Sequence, residues 1–280
     1  MAIRIITDSA ADYSVQEIEK RNITCVSMAI TFDEDTYLDG KEITKDEFYE
    51  RLMGTEVFPK TSQPSPTSFL ECFEEAKEAG DSVIAILVSG SLSGTIQSAQ
   101  LAKSMAEYDD IHIVDSKNVT LAMRILVDRA VVMRDKGFAV EEILAELEDL
   151  KGRIRIFAGL DTLEYLCKGG RLSRTSANIG TLVNLKPVVT INEEGTVEVC
   201  GKQIGVRHAY KQIIKIVEED QPDTNYPVYF IYSYDKKNCL GLIQALQKKG
   251  LDFGTPKTRG IGATIGAHIG PGAYGIVYVK

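Results

Sequence analysis

Six consecutive apolar residues, Val83–Val88, run straight into Ser89-Gly-Ser-Leu-Ser-Gly-Thr95 and then into a helical pattern reaching about Tyr108. A strand with no polar alternation must be covered on both faces, and such strands belong to parallel sheets flanked by helices. The rest of the first half repeats this rhythm. Ile3–Thr7 reads as a buried strand ending in Asp8-Ser9, and Val15–Lys20 as a helix. Ile23–Thr31 reads as a second strand. Lys45–Met53 reads as a helix, with Thr44 as N-cap and Glu47 completing a capping box. Lys60–Pro66 reads as a proline-punctuated loop, Thr67–Ala79 as a helix capped by Gly80, and Ile111–Asp115 as a strand. Helices near Leu121–Lys136 and Val140–Leu150 follow, separated by Gly137. Alternation of this kind predicts an α/β fold with a doubly wound, mostly parallel sheet, whose ligands gather at the carboxyl ends of strands. Asp8-Ser9 and Ser89–Thr95 stand at such ends.

The second half changes character. Arg155–Gly159 reads as a strand and Asp161–Cys167 as a short helix ending in Gly169-Gly170. Pro187–Asn192 and Thr196–Cys200 flank Glu193-Glu-Gly195, a hairpin signal. Gly205–Glu218 is an amphipathic helix, Pro227–Tyr232 a strand, Asn238–Lys249 a helix, and Thr258–Lys280 a glycine-rich extended end. Hairpins mixed with helices predict a C-terminal α+β domain. The expected division is 1–151 and 152–280, and 280 residues suit two modest domains.

Charge and composition narrow the function classes. A formal net charge of −8 opposes phosphate backbones and anionic membranes, so no nucleic-acid partner and at most transient membrane contact are expected. The N-terminus lacks the basic flank and apolar core of a signal peptide, and no segment nears the ~18 apolar residues of a span. A cytoplasmic location is expected. The five cysteines (Cys25, Cys72, Cys167, Cys200, Cys239) are scattered, with no Cys-x-x-Cys pair, and the three histidines are dispersed. Neither a disulfide framework nor a metal site is expected.

Four constellations carry candidate chemistry. The first is Ser89–Thr95. A helix start presents unpaired N–H groups and a partial positive charge, and Ser89, Ser91, Ser93 and Thr95 add hydroxyls. Gly90 and Gly94 allow close backbone approach, so the loop can cradle a phosphate, sulfate or carboxylate. Spacing alone allows equally a helix capped by Ser93, with the glycines serving the turn. It lacks the Lys-Ser/Thr of a P-loop and the Gly-x-Ser-x-Gly of a nucleophile elbow. The second is Thr61-Ser62-Gln63-Pro64, hydroxyls on a backbone that Pro64 and Pro66 restrict. The third is His268 beside Gly270-Pro-Gly272, where a constrained turn can aim the ring. The fourth is Lys168-Gly-Gly-Arg171, whose arginine can pair an acid bidentately or serve as a helix-end cation.

These motifs together resemble the DegV family, and specifically the fatty-acid-binding subunits of bacterial fatty acid kinase. The resemblance runs from Thr7-Asp8-Ser9 through Thr61-Ser-Gln-Pro64, Ser93-Gly-Thr95 with Gln97-Ser-Ala99, and Lys168-Gly-Gly-Arg171 to His268 and Gly270-Pro-Gly-Ala273. It implies a two-domain protein holding a long-chain fatty acid such as palmitate, stearate or oleate, with no cofactor. Thr61 and Ser93 correspond to the carboxylate ligands. Ser9, Ser62, Gly94, Thr95, Arg171 and His268 are expected near the head group. It further implies a carrier without catalysis of its own, whose partner, the fatty acid kinase catalytic subunit, makes the acyl phosphate with ATP. The family usually has Tyr where Ile96 stands and Thr where Ile269 stands. Its basic cluster before the helix near Gly205 is interrupted here by Ile204 and Val206, leaving Lys202 and Arg207.

Two other functions remain open on sequence. One is a hydrolase or acyltransferase using Ser93 or Ser9 with His268, although no acid is visibly placed to orient the histidine. The other is a fatty-acid-responsive regulatory protein using the same pocket.

Overall fold

The structure is a computed structural model that describes residues 2–173 and 184–280. Its first half supplies β1 (Ile3–Asp8), a 3-10 turn (Ser9–Ala11), α1 (Val15–Arg21), β2 (Ile23–Val26), β3 (Ala29–Phe32) and β4 (Asp35–Leu38). Then come α2 (Lys45–Met53), β5 (Lys60–Ser62), α3 (Pro66–Ala79), β6 (Ser82–Leu87), α4 (Thr95–Ala106), β7 (Ile111–Asp115), α5 (Thr120–Asp135) and α6 (Val140–Arg153). The second half supplies β8 (Ile154–Gly159), α7 (Glu164–Lys168), β9 (Leu185–Ile191), β10 (Val197–Ile204) and α8 (Val206–Asp220). It ends with β11 (Tyr229–Tyr232), α9 (Lys237–Lys248), β12 (Lys257–Gly260), α10 (Ala263–Ile269) and β13 (Tyr274–Val279).

Strands β2-β1-β6-β7 form a parallel sheet. Every residue of β6 is buried, as its unbroken apolar run requires. The strand order reverses between β1 and β6, so their carboxyl ends bound the crevice where doubly wound sheets bind ligands. Asp8 ties those ends together by accepting from Val88 N–H at 2.8 Å and Ala10 N–H at 2.9 Å. A second, mixed sheet has the order β10-β9-β8-β13-β11-β12 and includes the β9–β10 antiparallel hairpin.

The layers follow from where apolar stripes go. Phe69 and Phe73 of α3 and Ala99 and Ala102 of α4 cover one face of the parallel sheet. Its other face meets α5, which also packs against β8 and β13 of the mixed sheet. Ile213, Val217, Leu242 and Leu246 of α8 and α9 cover the far face of the mixed sheet. Helix, sheet, helix, sheet and helix therefore alternate through the molecule. No helix among the described residues is long and apolar enough to cross a membrane.

Four sequence expectations need correction. Ile23–Thr31 is not one strand: the chain leaves the parallel sheet at Ser27-Met28, and β3 joins a separate antiparallel sheet of order β4-β3-β5. Lys60–Ser62 is the edge strand of that sheet rather than part of a loop. The C-terminal stretch is not extended throughout, because it contains α10. The helix read over Asp161–Cys167 begins only at Glu164. Each error concerns a long-range pairing or packing contact that local periodicity does not record.

Candidate functional site

One cavity, of about 90 Å³, lies between the carboxyl ends of the parallel sheet and the inner face of the mixed sheet. Thr61, Ser93, Arg171 and His268 all line it, although they come from four separate stretches of chain. The remaining wall is apolar, with Val88 and Leu92 from the first half and Ile156, Ala158, Val189 and Ile231 from the mixed sheet.

Strand register explains the cavity's shape. Val189 pairs with Ala158, Ala158 with Gly275, and Gly275 with Ile231, so these four form a row straight across the sheet. The middle of the row carries only a methyl group and a hydrogen, which makes a trough. Lining residues extend from Val197 on β10 to Ile231 on β11, four strand steps apart. At ~4.8 Å per step the span is about 19 Å.

Three threonines in this wall look polar in sequence but are not so in the cavity. Thr190 donates to Ile156 O at 2.8 Å, Thr264 to Asp39 Oδ2 at 2.5 Å, and Thr120 to Asp12. Their hydroxyls are spoken for, and Thr264 and Thr120 draw on carboxylates that sequence reading missed. Burial raises the Asp12 carboxyl to about 7 and Asp8 likewise to about 7, and also raises Asp39. Asp39 adds like-charge repulsion to the other two. Asp8 stands in a motif already noted, but Asp12 and Asp39 are flanked by nothing in sequence that marks them. Only the β1–β6 crevice brings them together.

Helix α10 sets one polar edge of the cavity. Thr264 and His268 are four residues apart, as are Ile265 and Ile269, so two adjacent stripes face the same space. His268 therefore lies in the last turn of a helix, not on the constrained turn expected from Gly270-Pro-Gly272. Its Nε2 lies 2.8 Å from Thr61 Oγ1, while its buried Nδ1 has no hydrogen-bond partner among the described residues. Burial, with Arg171 nearby, lowers its pKa to about 4, so the ring is neutral at neutral pH. An orphan lone pair is better tolerated than an orphan N–H. The proton is thus assigned to Nε2, which donates to Thr61 and leaves the Thr61 hydroxyl free to donate onward. The same geometry weakens a Ser-His hydrolase: no carboxylate orients Nδ1, Nε2 faces a threonine, and a ring of such low basicity is a poor general base.

The Ser89–Thr95 loop divides its hydroxyls between two tasks. Ser89 donates to Gly195 O at 2.8 Å and Ser91 to Glu194 O at 2.7 Å, so these two hold the β9–β10 hairpin instead of a ligand. Lys117 adds a bond to Glu193 O at 3.0 Å. Ser93 remains for the cavity, 2.8 Å from the buried Thr95 hydroxyl. It does not cap α4, whose N-cap is Gly94 with no side-chain bond. Gly94 itself meets the Gln63 side chain, not the cavity. Arg171 donates from Nε to Leu92 O at 2.9 Å and from Nη1 to Gly169 O at 2.6 Å. With Nε and one Nη1 hydrogen so engaged, it braces the residue before Ser93, and the side-on fork through Nε is taken up by the backbone. Ser9 stands behind the wall, accepting from Met28 N–H at 3.1 Å and lying 3.3 Å from the Thr264 hydroxyl. Ser62 is exposed on β5, pointing away from Thr61 as strand alternation dictates, and is not brought to the cavity.

Among the described residues no disulfide joins the five cysteines, and burial pushes Cys200 up to about 11 and Cys239 up to about 12, so neither of these two is a ready nucleophile. Among the described residues, no group of His, Cys, Asp and Glu is arranged to hold a metal ion.

Comparison with known proteins agrees over the full length. The sequence model of the DegV family, described as uncharacterised, matches residues 2–280. A DegV domain-containing protein of Caldanaerobacter subterraneus subsp. tengcongensis is 36% identical over 276 residues, covering 99% of this chain and 98% of that protein. A DegV family protein from Thermus thermophilus, solved as a fatty-acid binder, superposes with a TM-score of 0.88 at 34% identity, over 100% of both chains. A stearic-acid-binding protein from Eubacterium ventriosum superposes with a TM-score of 0.89 at 28% identity, over 100% of this chain and 98% of that one.

Proposed function

The chain belongs to the DegV family, and from that premise we propose that it is a carrier that binds one long-chain fatty acid and presents the carboxylate to a separate ATP-dependent kinase. The observation that carries the reading is a long apolar trough with hydroxyls gathered at its polar edge. At ~1.25 Å per methylene, from C–C bonds of ~1.52 Å at ~111°, a 19 Å trough takes about fifteen carbons. Palmitate, stearate and oleate are of this class. Burial at ~0.8 kcal/mol per methylene contributes on the order of 10 kcal/mol gross, so the tail supplies affinity and the head group needs only orientation.

Thr61 and Ser93 are the proposed carboxylate ligands, each through one hydroxyl. Single hydroxyl contacts leave carboxylate lone pairs open to attack a phosphoryl group, which a bidentate arginine would block. His268 orients Thr61, Arg171 orients the loop before Ser93, and Ser9 and Thr95 support the two clusters from behind. The kinase supplies ATP and the phosphoryl transfer, and this chain supplies no catalytic group. Such a partner, and the soluble acidic surface, fit a cytoplasmic protein that meets membranes only in passing.

The test is direct. Protein purified from a bacterial host and denatured should release a long-chain fatty acid detectable by mass spectrometry, and the Thr61→Ala/Ser93→Ala double variant should retain much less. Empty protein that also fails to bind palmitate or oleate would remove the proposal. A double variant that binds normally would remove the head-group assignment alone.

A further inference from the structure

Strand β5, which carries Thr61, is three residues long and lies at the edge of its sheet, paired among the described residues only with β3. Backbone pairing on one side is weak support for a hydroxyl that must meet another hydroxyl across a cavity. Ser93 lies on a different element, ahead of α4. Among the described residues, a single side-chain hydrogen bond links the Lys60–Pro64 segment to α4: Gln63 Nε2 donates to Ser98 Oγ at 2.9 Å. The same amide packs closely against Gly94 at the start of α4, oxygen nearest. A Cβ placed on Gly94 would stand 1.8 Å from Gln63 Oε1 and 2.6 Å from its amide carbon. Gly94 is the N-cap of α4 and brings no capping side chain, so the Gln63 oxygen sits at the positive end of that helix.

We propose that Gln63 is a positioning residue, a strut between β5 and α4 that fixes the Thr61 hydroxyl relative to the Ser93 hydroxyl. Resting on the carboxylate reading of these two residues, it adds a specificity role: Gln63 makes the pair recognise an acid over other polar ends of the same chain length. It also assigns a reason for glycine at 94, since any side chain there displaces the amide. Gln63 is exposed, so its truncation opens no core cavity and the fold should tolerate it.

Two measurements test the strut. In ligand-free protein, Gln63→Ala should speed hydrogen exchange of the Thr61 and Thr95–Gln97 amides while the α5 amides stay protected. In binding, Gln63→Ala should weaken palmitate roughly five- to tenfold, as loss of one such hydrogen bond does, and change hexadecanol less than twofold. Ser98→Ala should reproduce the loss, and the double variant should be no worse than either single one. Gly94→Ala should behave as Gln63→Ala. Unchanged exchange at β5 and the α4 start overturns the strut. So does an equal loss for acid and alcohol, or no loss for either. A wild type that binds no acid yet shows the exchange change overturns the fatty-acid reading and leaves the strut in place.

Discussion

Two buried groups behave oppositely with pH. His268 is held neutral by burial, with a folded pKa of about 4 against an ordinary 6.5. Between those values the unfolded chain binds the extra proton and the folded one does not, so His268 makes the protein less stable as pH falls through that window. Asp12 is raised from 3.8 to about 7. There the folded state holds the extra proton, so stability is lost as pH rises from about 4 to about 7. Asparagine can keep both contacts of Asp12, accepting from Gly262 N–H and donating to Thr120, without a charge to bury. Asp12→Asn should therefore gain stability over wild type by on the order of a few kcal/mol between pH 5 and pH 8, read from urea unfolding. Parallel curves at the two pH values would rule this out. Gly169 offers a second test. A Cβ there would stand 2.2 Å from His268 Nδ1, although its backbone conformation suits any residue. Gly169→Ala should cost about 1–3 kcal/mol of stability through overpacking and turn the ring away from Thr61. The His268 Nε2–H resonance in NMR reports that bond directly. Thr61, Ser93, Arg171 and His268 were singled out in sequence by motifs that are weak one by one and specific only together, through the resemblance to the DegV family, and all four line the cavity. Asp12, Asp39 and the role of Gln63 were not, because nothing local says what faces them.

Individual elements were legible in proportion to how local their causes are. The α2 capping box of Thr44 and Glu47 forms as read, because both partners lie within one turn. The β9–β10 hairpin does too, because Gly195, at φ +78°, sits in its turn. Strand β4 and the split between β2 and β3 escaped, since alternation through Ile23–Thr31 continues across a change of sheet. The trough was hidden for the same reason: Ala158 and Gly275 are 117 positions apart and become neighbours only through the register of β8 and β13. On the carrier reading proposed above, the trough floor would set chain length. Ala158→Phe places a ring across the middle of the row. It should reduce palmitate binding at least tenfold while a chain of about eight carbons keeps its affinity, measured by calorimetry. Equal palmitate binding by the variant would mean that the tail does not run over β8. The clasp of Ser89, Ser91 and Lys117 on the hairpin tip belongs to this scale as well, since it ties the β9–β10 turn to the loops at the carboxyl ends of the parallel sheet.

At the scale of the molecule, the two large sheets are separate but their cores are not. All strands of the parallel sheet precede residue 152 and all strands of the mixed sheet follow it. The proposed division into 1–151 and 152–280 is one of sheets. Helix α5 belongs to both sides: Leu121, Met123, Leu126 and Val127 share one apolar cluster with Ile84 and Ile86 of β6 and with Ile156 and Val277 of the mixed sheet. Even Arg124 is buried there, 1% exposed, paired to Glu17 at 2.5 Å and donating to Asp12 O at 3.1 Å. With eleven of its sixteen residues buried, α5 keeps only a narrow solvent face to fall back on when one sheet leaves. The cavity lies at the same seam, so the arrangement that forms it also couples the two halves. The intact chain should then unfold in one transition, with far-ultraviolet circular dichroism and tyrosine fluorescence coincident in urea. A fragment of residues 1–151 should expose the mixed-sheet face of α5, lack a cooperative transition and bind hydrophobic dye. A well-behaved, cooperatively folding fragment would show that the seam is a dispensable interface, and the cavity would then be a cleft between independent domains.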